Sequence, residues 1–518
     1  MPAEIIREVL LDRSINYDPS GMQLRGLRIT GKLNLDHVSL TCRVTFDQCH
    51  FDEIPTFEQA KIPSLSLTAC ELPGISLAFT RIDGELKMRG AQFYGEVGAR
   101  GISVGGQLSM GGATITNPKA RALNLDAANI DGDVLLDEGF KATGSVHGFG
   151  LRVAGMLSMK GAILFDADGT ALTLDRATVS GSVFLGNGFK AVGKVRAVGI
   201  SVAGQFSMKA ATLDNGSSDA LSLDNASIGG SLFLSNGFKA TGRVRAVGIR
   251  VVGQVSLKDA TFVNRNGLTY ALDLDQANIG RDVFMVDNFN AEGGVTAEGI
   301  VVGGQLNLKD AVFSRPKGAA FNLERGNIES LSLDDKSKFI GGLAFLFTTI
   351  QKLSVGPTRP SGGLPRLTSV RGWKIGAMDG FLLTDCKSAA NWLDTVPVQW
   401  HGQREHQFAT QPWLELARNY DQAGRPDLGR WLRFAAAKRS TRAAPWTSKI
   451  SRWMYGATVG YGYFPGFVLI WVALLWAVVF ALASTNLSSF TPTSPDAMNS
   501  VVTHVDGRSE LIANTGAS

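Results

Sequence analysis

A twelve-residue segment returns at almost constant spacing through the first two thirds of the chain. VGGQLSMGGATI starts at Val104, VAGMLSMKGAIL at Val153, VAGQFSMKAATL at Val202, VVGQVSLKDATF at Val251 and VGGQLNLKDAVF at Val302, with offsets of 49, 49, 49 and 51. A second series runs between them: IDGDVLLDEGF from Ile130, VSGSVFLGNGF from Val179, IGGSLFLSNGF from Ile228 and IGRDVFMVDNF from Ile279. Interleaved, the two series give a unit of 22–28 residues. Within each unit, short alternating segments such as QLSM and SVFL are separated by Gly and small polar residues, and no helical period is present. A unit of this size can bury its inward side chains only against the units before and after it, which is the condition for a solenoid. The repeat therefore predicts a mainly β fold, a right-handed parallel β-helix of 22–28 residues per coil. With the looser start LRITGKLNLDHVSL at Leu27 it makes about a dozen coils.

The third position of the unit is glycine at 84, 106, 132, 155, 181, 204, 230, 253 and 304, with Arg281 the exception. Either a positive φ or a close approach between coils would require this. At the exception, Gly280 is expected to take the role by a one-residue shift.

Stacked units also stack their outward residues. LNLD, LTLD, LSLD, LDLD and FNLE place Asp126, Asp175, Asp224, Asp275 and Glu324 at one height, and Lys160, Lys209, Lys258 and Lys309 form a second column. FKAVGKVRAVGI and FKATGRVRAVGI add Lys190, Lys194, Arg196, Lys239, Arg243 and Arg245, alternating with inward Phe189, Val195, Phe238 and Val244. These six cations are the candidate partner-binding face, suited to an acidic protein or a lipid headgroup. Nucleic acid is disfavoured because no aromatic groups interleave the charges. The even spacing of the acids suits a structural role better than a paired-carboxylate active site.

Catalytic signatures are missing. Cys42, Cys49, Cys70 and Cys386 are too few and scattered for a disulfide framework and suit a reducing compartment. Cys42, Cys49 and His50 read as small residues of stacked strands, not as a zinc site. HGQREH at 401–406 lacks the i, i+4 spacing of a helical metal pair. Glycine pairs such as Gly303–Gly304 lie between strands and do not open a helix, so no nucleotide fingerprint is formed. The expectation is no catalytic residue, no metal and no cofactor.

The domain reading is a cap segment at 1–20, the solenoid at 21–350, an irregular exit at 351–409 and a helical hairpin at 410–443. A basic and aromatic juxtamembrane linker at 444–465, a transmembrane helix at 466–484 and a tail at 485–518 complete it. In the hairpin, broken at Gly424, Leu414, Ala417 and Tyr420 share one face and Leu428, Trp431, Leu432 and Ala435 the other. FVLIWVALLWAVVFALA, from Phe467 to Ala483, reaches the length of a membrane span. Eight Lys or Arg against Asp427 crowd the stretch from Arg425 to Arg452. By the positive-inside rule they hold the solenoid in the cytoplasm, as a single-pass protein of the inner (plasma) membrane. The opening MPAEIIREVLLDRS lacks an apolar signal core, which agrees with that expectation. Trp446, Trp453, Tyr455, Tyr461 and Tyr463 are placed at the membrane interface, in contact with membrane lipid. TVGYG at 458–462 repeats the letters of a potassium-channel filter, but the basic segment before it cannot supply the preceding span such a filter needs.

LRGLRITGKLNL, the recurring G-x-L-x-L units, PWLELARNYDQAGRPDLGRWLRFAAAKR and TVGYGYFPGF together resemble bacterial β-solenoid proteins with a C-terminal membrane anchor, related in build to pentapeptide-repeat proteins. The resemblance covers nearly the whole chain. Its members are often labelled membrane-associated oxidoreductases, which implies a redox cofactor but carries no catalytic residue onto these positions. They commonly continue to a further hydrophobic segment, and the tail TNLSSFTPTSPDAMNS departs from that. The functional expectation is a membrane-anchored cytoplasmic scaffold or recruitment surface. The alternatives are the oxidoreductase of the family label and, on TVGYG, a channel-linked regulatory protein.

Overall fold

The computed structural model describes the chain except residues 13, 16, 167–168, 265–268, 358–363, 397–407, 486–501, 506–507 and 512–518, and no side chain after residue 500. The HGQREH stretch and much of the tail thus lie outside the described residues. Two compact units are present, Met1–Leu432 and Arg433–Ser518.

In the first unit, parallel pairing carries one strand position from Met22 through Val44, Leu65, Leu86, Leu108, Val134, Leu157, Val183, Phe206, Leu232, Val255, Val283, Leu306, Leu331 and Leu353 to Met378. These steps are fifteen turns of a parallel solenoid, each 21–28 residues long. At about 4.8 Å per strand spacing the stack is about 70 Å long. The ladder does not stop at residue 350. Thr349–Val355 pairs with Lys374–Gly380, so the first part of the expected exit segment is a further turn. The glycine-marked motif has faded there, but Leu353, Val355, Leu367 and Ile375 still point inward and are buried.

A turn contains four short strand segments, as at Ser103–Val104, Leu108–Ser109, Thr114–Ile115 and Leu123–Asn124. Each segment supplies one inward side chain, and Val104, Leu108, Ile115 and Leu123 are all 0% exposed. The interior is therefore filled with side chains. Phe238, Phe262, Phe289, Phe313 and Phe339 run along it with ring centroids 4.8–5.6 Å apart. Two corners per turn pass through the left-handed region, as at Gly112 (φ 69) and Ala127 (φ 55).

The glycine column serves close approach, not a positive φ. From Gly106 to Gly253 each glycine N–H donates to the carbonyl of the glycine one turn before, at 2.8–3.1 Å. A Cβ on Gly181 would stand 2.6 Å from the Gly155 oxygen. Gly280 does not replace the missing member: a Cβ there would meet the Val252 oxygen. The pairing of Val251 with Ile279 leaves Arg281 in the column itself.

Both ends of the ladder are covered, which blocks edge pairing between copies. Helix α1 (Ala3–Leu11) follows a segment in which the Ala3 N–H donates to Thr30 and the Thr30 N–H to Met1, both at 2.9 Å. Helix α2 (Cys386–Leu393) follows the last turn, with the Asp385 side chain accepting from the Lys387 and Ser388 amides. At the far end, Gln411, Glu415 and Asn419 line one side of helix α3 (Gln411–Gln422). They hydrogen-bond the Gly372, Trp373 and Ile375 backbone at 2.8–3.1 Å. The buried face of α3 is rotated from the expected one: Trp413, Leu416, Ala417 and Tyr420 are buried and Leu414 is 42% exposed. The polar row on the sheet edge sets that rotation.

Helix α4 (Pro426–Ala443) leads to the second unit, where helix α5 (Trp446–Val459) occupies most of the expected 444–465 linker. Trp446, Ile450, Trp453 and Ala457 recur at helical spacing along α5. Helix α6 (Gly466–Thr485) is the one helix among the described residues long and apolar enough to cross a membrane, and none of its hydrophobic segment is buried. Its length is about 30 Å at 1.5 Å per residue, the thickness of a bilayer's hydrocarbon core. Val502–Val505 and Arg508–Leu511 then form an antiparallel pair.

Candidate functional site

The six cations of the candidate partner face fall on two different sides of the turn. Lys194, Arg196, Arg243 and Arg245 are engaged within the solenoid. Arg196 Nε lies 2.7 Å from Asp175 Oδ2 and Arg245 Nη2 lies 3.0 Å from Asp224 Oδ2. Asp219 receives Arg243 Nε at 2.7 Å and Lys194 Nζ at 3.1 Å, on opposite oxygens. Burial opposes ionisation of Asp219, but the hydrogen bonds from Arg243 and Lys194 outweigh it and hold the carboxyl below the usual carboxylate range.

Lys190 and Lys239 belong to another edge. Along the third strand segment the register runs Lys141, Ile163, Lys190, Thr212, Lys239, so a lysine points outward on alternate turns. Lys160 and Lys209 fill the intervening turns from the preceding corner, giving one lysine per turn for five turns at steps of about 4.8 Å. Among the described residues none of these five makes an ion pair. The corner segments 160–161, 186–188, 209–210 and 235–237 contain no acid, whereas 137–139 before Lys141 holds Asp137 and Glu138, the latter paired with Arg89. Lys160 Nζ lies 4.4 Å above the Phe184 ring centroid and Lys209 Nζ 4.2 Å above that of Phe233. Aromatic groups therefore do accompany the charges, one turn away and 24 residues later in sequence. Lys141 holds the same place in FKATGSVH as Lys190 and Lys239 in their segments, but Ser145 and His147 stand where those segments carry further cations, so it does not stand out as part of a basic patch.

The acidic column has a structural task. Oδ1 of Asp126, Asp175, Asp224 and Asp275 accepts the backbone N–H of Phe149, Val198, Val247 and Glu298 at 2.7–3.0 Å, pinning the same corner one turn on. Glu324 departs, accepting instead from Ser369 Oγ at 3.1 Å. The thiols do not fit thiol–disulfide exchange. All four are buried and free, burial pushes Cys42 and Cys386 up, and it pushes Cys70 up to about 12, far from the thiolate that such chemistry uses. His50 lies beside Asp52 and Glu71, at 3.4 and 3.2 Å, on the outside of the stack. No group of three His, Cys, Asp or Glu among the described residues is arranged to hold a metal.

In the helical unit, Trp446, Trp453 and Tyr455 are 77%, 65% and 54% exposed, whereas Tyr461 and Tyr463 are half-buried. TVGYG is the corner between α5 and α6. Gly460 (φ 58), Tyr461 (φ 55) and Gly462 (φ 81) are left-handed, and the Gly460 N–H donates to the Gly456 carbonyl as it caps α5. The Gly460 carbonyl accepts the Tyr463 N–H at 3.0 Å. These glycines reverse the chain, and the Tyr461 ring lies against Gly456, where a Cβ would have no room.

Compared with protein-family models, with curated proteins and with solved structures, the chain matches none.

Proposed function

We propose that this chain is a membrane-anchored scaffold whose solenoid recruits an acidic protein along the edge formed by Lys141, Lys160, Lys190, Lys209 and Lys239. The observation that carries the reading is the contrast between this unpaired file and the neighbouring cations, which already have carboxylates. An array of like charges at one-turn spacing, with no carboxylate partner among the described residues, attracts and orients an acidic surface. The solid interior suits a rigid presenting rod. Helix α6 supplies the anchor, and the basic residues before it favour a cytoplasmic solenoid on the inner membrane.

Proximity labelling in cells tests the recruiting edge, comparing the native chain with one in which the five lysines are changed to Glu. A set of acidic neighbours should disappear with the reversal, and survive Arg196→Gln with Arg245→Gln. An unchanged set would sink the proposal. A reporter fused after Ser518 tests the topology, since activity in the cytoplasm is incompatible with a single outward span.

A further inference from the structure

Between the second half of α4 and α5 lies a cavity of about 530 Å3, well within the helical unit. Lys438 and Arg442, one turn apart on α4, and Lys449 on α5 put three cations on its wall. Trp446, Ile450 and Trp453 supply an apolar side, and Phe434 and Tyr461, with ring centroids 5.8 Å apart, also line it. From Arg433 to Thr485 the chain has six Lys or Arg and no Asp or Glu. None of the three cavity cations makes an ion pair among the described residues. A cavity of this volume is in the range that holds a small ligand.

We infer that this cavity binds one anionic phospholipid, its phosphate held by Lys438, Arg442 and Lys449 and the start of its acyl chains lying along Trp446, Ile450 and Trp453. The inference rests on the membrane reading above. Charge selects an anion. The apolar wall selects a lipid over a soluble phosphate: Trp446, Ile450 and Trp453 are 77%, 61% and 65% exposed, an arrangement that costs free energy in water and none against acyl chains. The position is also that of a headgroup. Trp471 Nε1, near the start of α6, donates to the Ala457 carbonyl at 3.0 Å, and Ala457 lines the cavity. Cations immediately before a span meet the anionic lipid surface, and gathered in one open cavity between two helices they can hold a single headgroup.

The full chain is reconstituted in phosphatidylcholine nanodiscs with a minor fraction of phosphatidylglycerol, extracted in mild detergent, and the lipid retained per chain is read by native mass spectrometry. Phosphatidylglycerol should be retained in preference to phosphatidylcholine. Lys438→Gln, Arg442→Gln and Lys449→Gln together should lower retention at least about tenfold. Arg452→Gln, a charge on the same helix but outside the cavity, should leave it unchanged. Equal loss in Arg452→Gln, equal retention of both lipids, or displacement by glycerol phosphate would each overturn the inference. If the triple variant does not fold, Lys438→Gln and Lys449→Gln alone decide, each being expected to lower retention while circular dichroism stays native. Carbonate extraction is run first. A chain washed from membranes defeats the anchor reading, whereas a chain that stays but retains no phosphatidylglycerol defeats this inference alone.

Discussion

Arg196 and Arg245 in the solenoid each meet an aspartate of the preceding turn, at 2.7 and 3.0 Å, whereas Arg442 and Lys449 in the helical unit meet no carboxylate among the described residues. The two regions differ in the same way elsewhere. The solenoid covers its strand edges with α1 and α3 and buries its inward apolar residues, exposing others such as Phe79 and Val252 singly, while α5 and α6 leave Trp446, Trp453 and the apolar helix exposed as a continuous run. The solenoid satisfies itself. The helical unit leaves apolar surface and the three cavity cations without an intramolecular partner among the described residues, and the five-lysine edge is a row of solenoid cations that likewise makes no ion pair there.

The largest effect is expected where self-satisfaction is removed. A chain ending at Ile350 loses both the Lys374–Gly380 strand and the α3 side chains that cover it, leaving an open ladder edge. It should associate, whereas a chain ending at Leu432, the limit of the first unit, should be monomeric. Light scattering after gel filtration separates the two, and a monomeric 350-residue chain would show that the cap is dispensable.

Next in size is the Asp219 site. Asp219→Asn leaves Lys194 and Arg243 partly buried without a counter-charge, and should destabilise the solenoid by about 1–3 kcal/mol near neutral pH. Because the native carboxyl titrates below the usual range, its contribution is fully present above the unfolded value of about 3.9 and is lost as pH falls through the lower native one. Denaturant unfolding of the two chains should therefore converge once the pH falls below the range in which the native carboxyl titrates. A constant difference through that range would mean that the charge is not what stabilises the site.

That pairing explains what could and could not be read from letters alone. The period of V-x-G, with strand alternation on either side, is enough for the solenoid because each inward residue has to stack on its equivalent. Outward contacts depend on register, and register depends on coil length. With steps that change between 23 and 26 residues, the neighbour of Arg196 is Asp175, 21 positions earlier, and Phe184 is carried over to Lys160. The basic sequence FKAVGKVRAVGI consequently looks like one face, whereas it divides between a paired side at Lys194 and Arg196 and a free edge at Lys190. TVGYG shows the opposite limit. Its letters match an ion filter, but the function of such a motif lies in backbone dihedrals, and here they are those of a helix corner.

The corner gives the third test. Gly460→Ala puts a Cβ on a residue with φ 58 and only 2.9 Å from that of Phe464, at a cost of about 1–2 kcal/mol. Thermal unfolding of the full chain in detergent should fall accordingly. Potassium flux in liposomes should not change, and a selective flux abolished by the substitution would restore the filter reading.

The smallest expected effect is the one that most sharpens the contrast. If the cavity cations await an external anion, removing them takes no contact from the protein alone, so Arg442→Gln and Lys449→Gln should each alter stability in detergent by under about 0.5 kcal/mol. Relief of repulsion among the three cavity cations even favours a slight gain. Adding phosphatidylglycerol should then raise the melting temperature of the native chain more than that of either variant, since a ligand stabilises only the state that binds it. A loss in lipid-free detergent as large as that of Asp219→Asn would place these cations in the same class as the solenoid's paired ones.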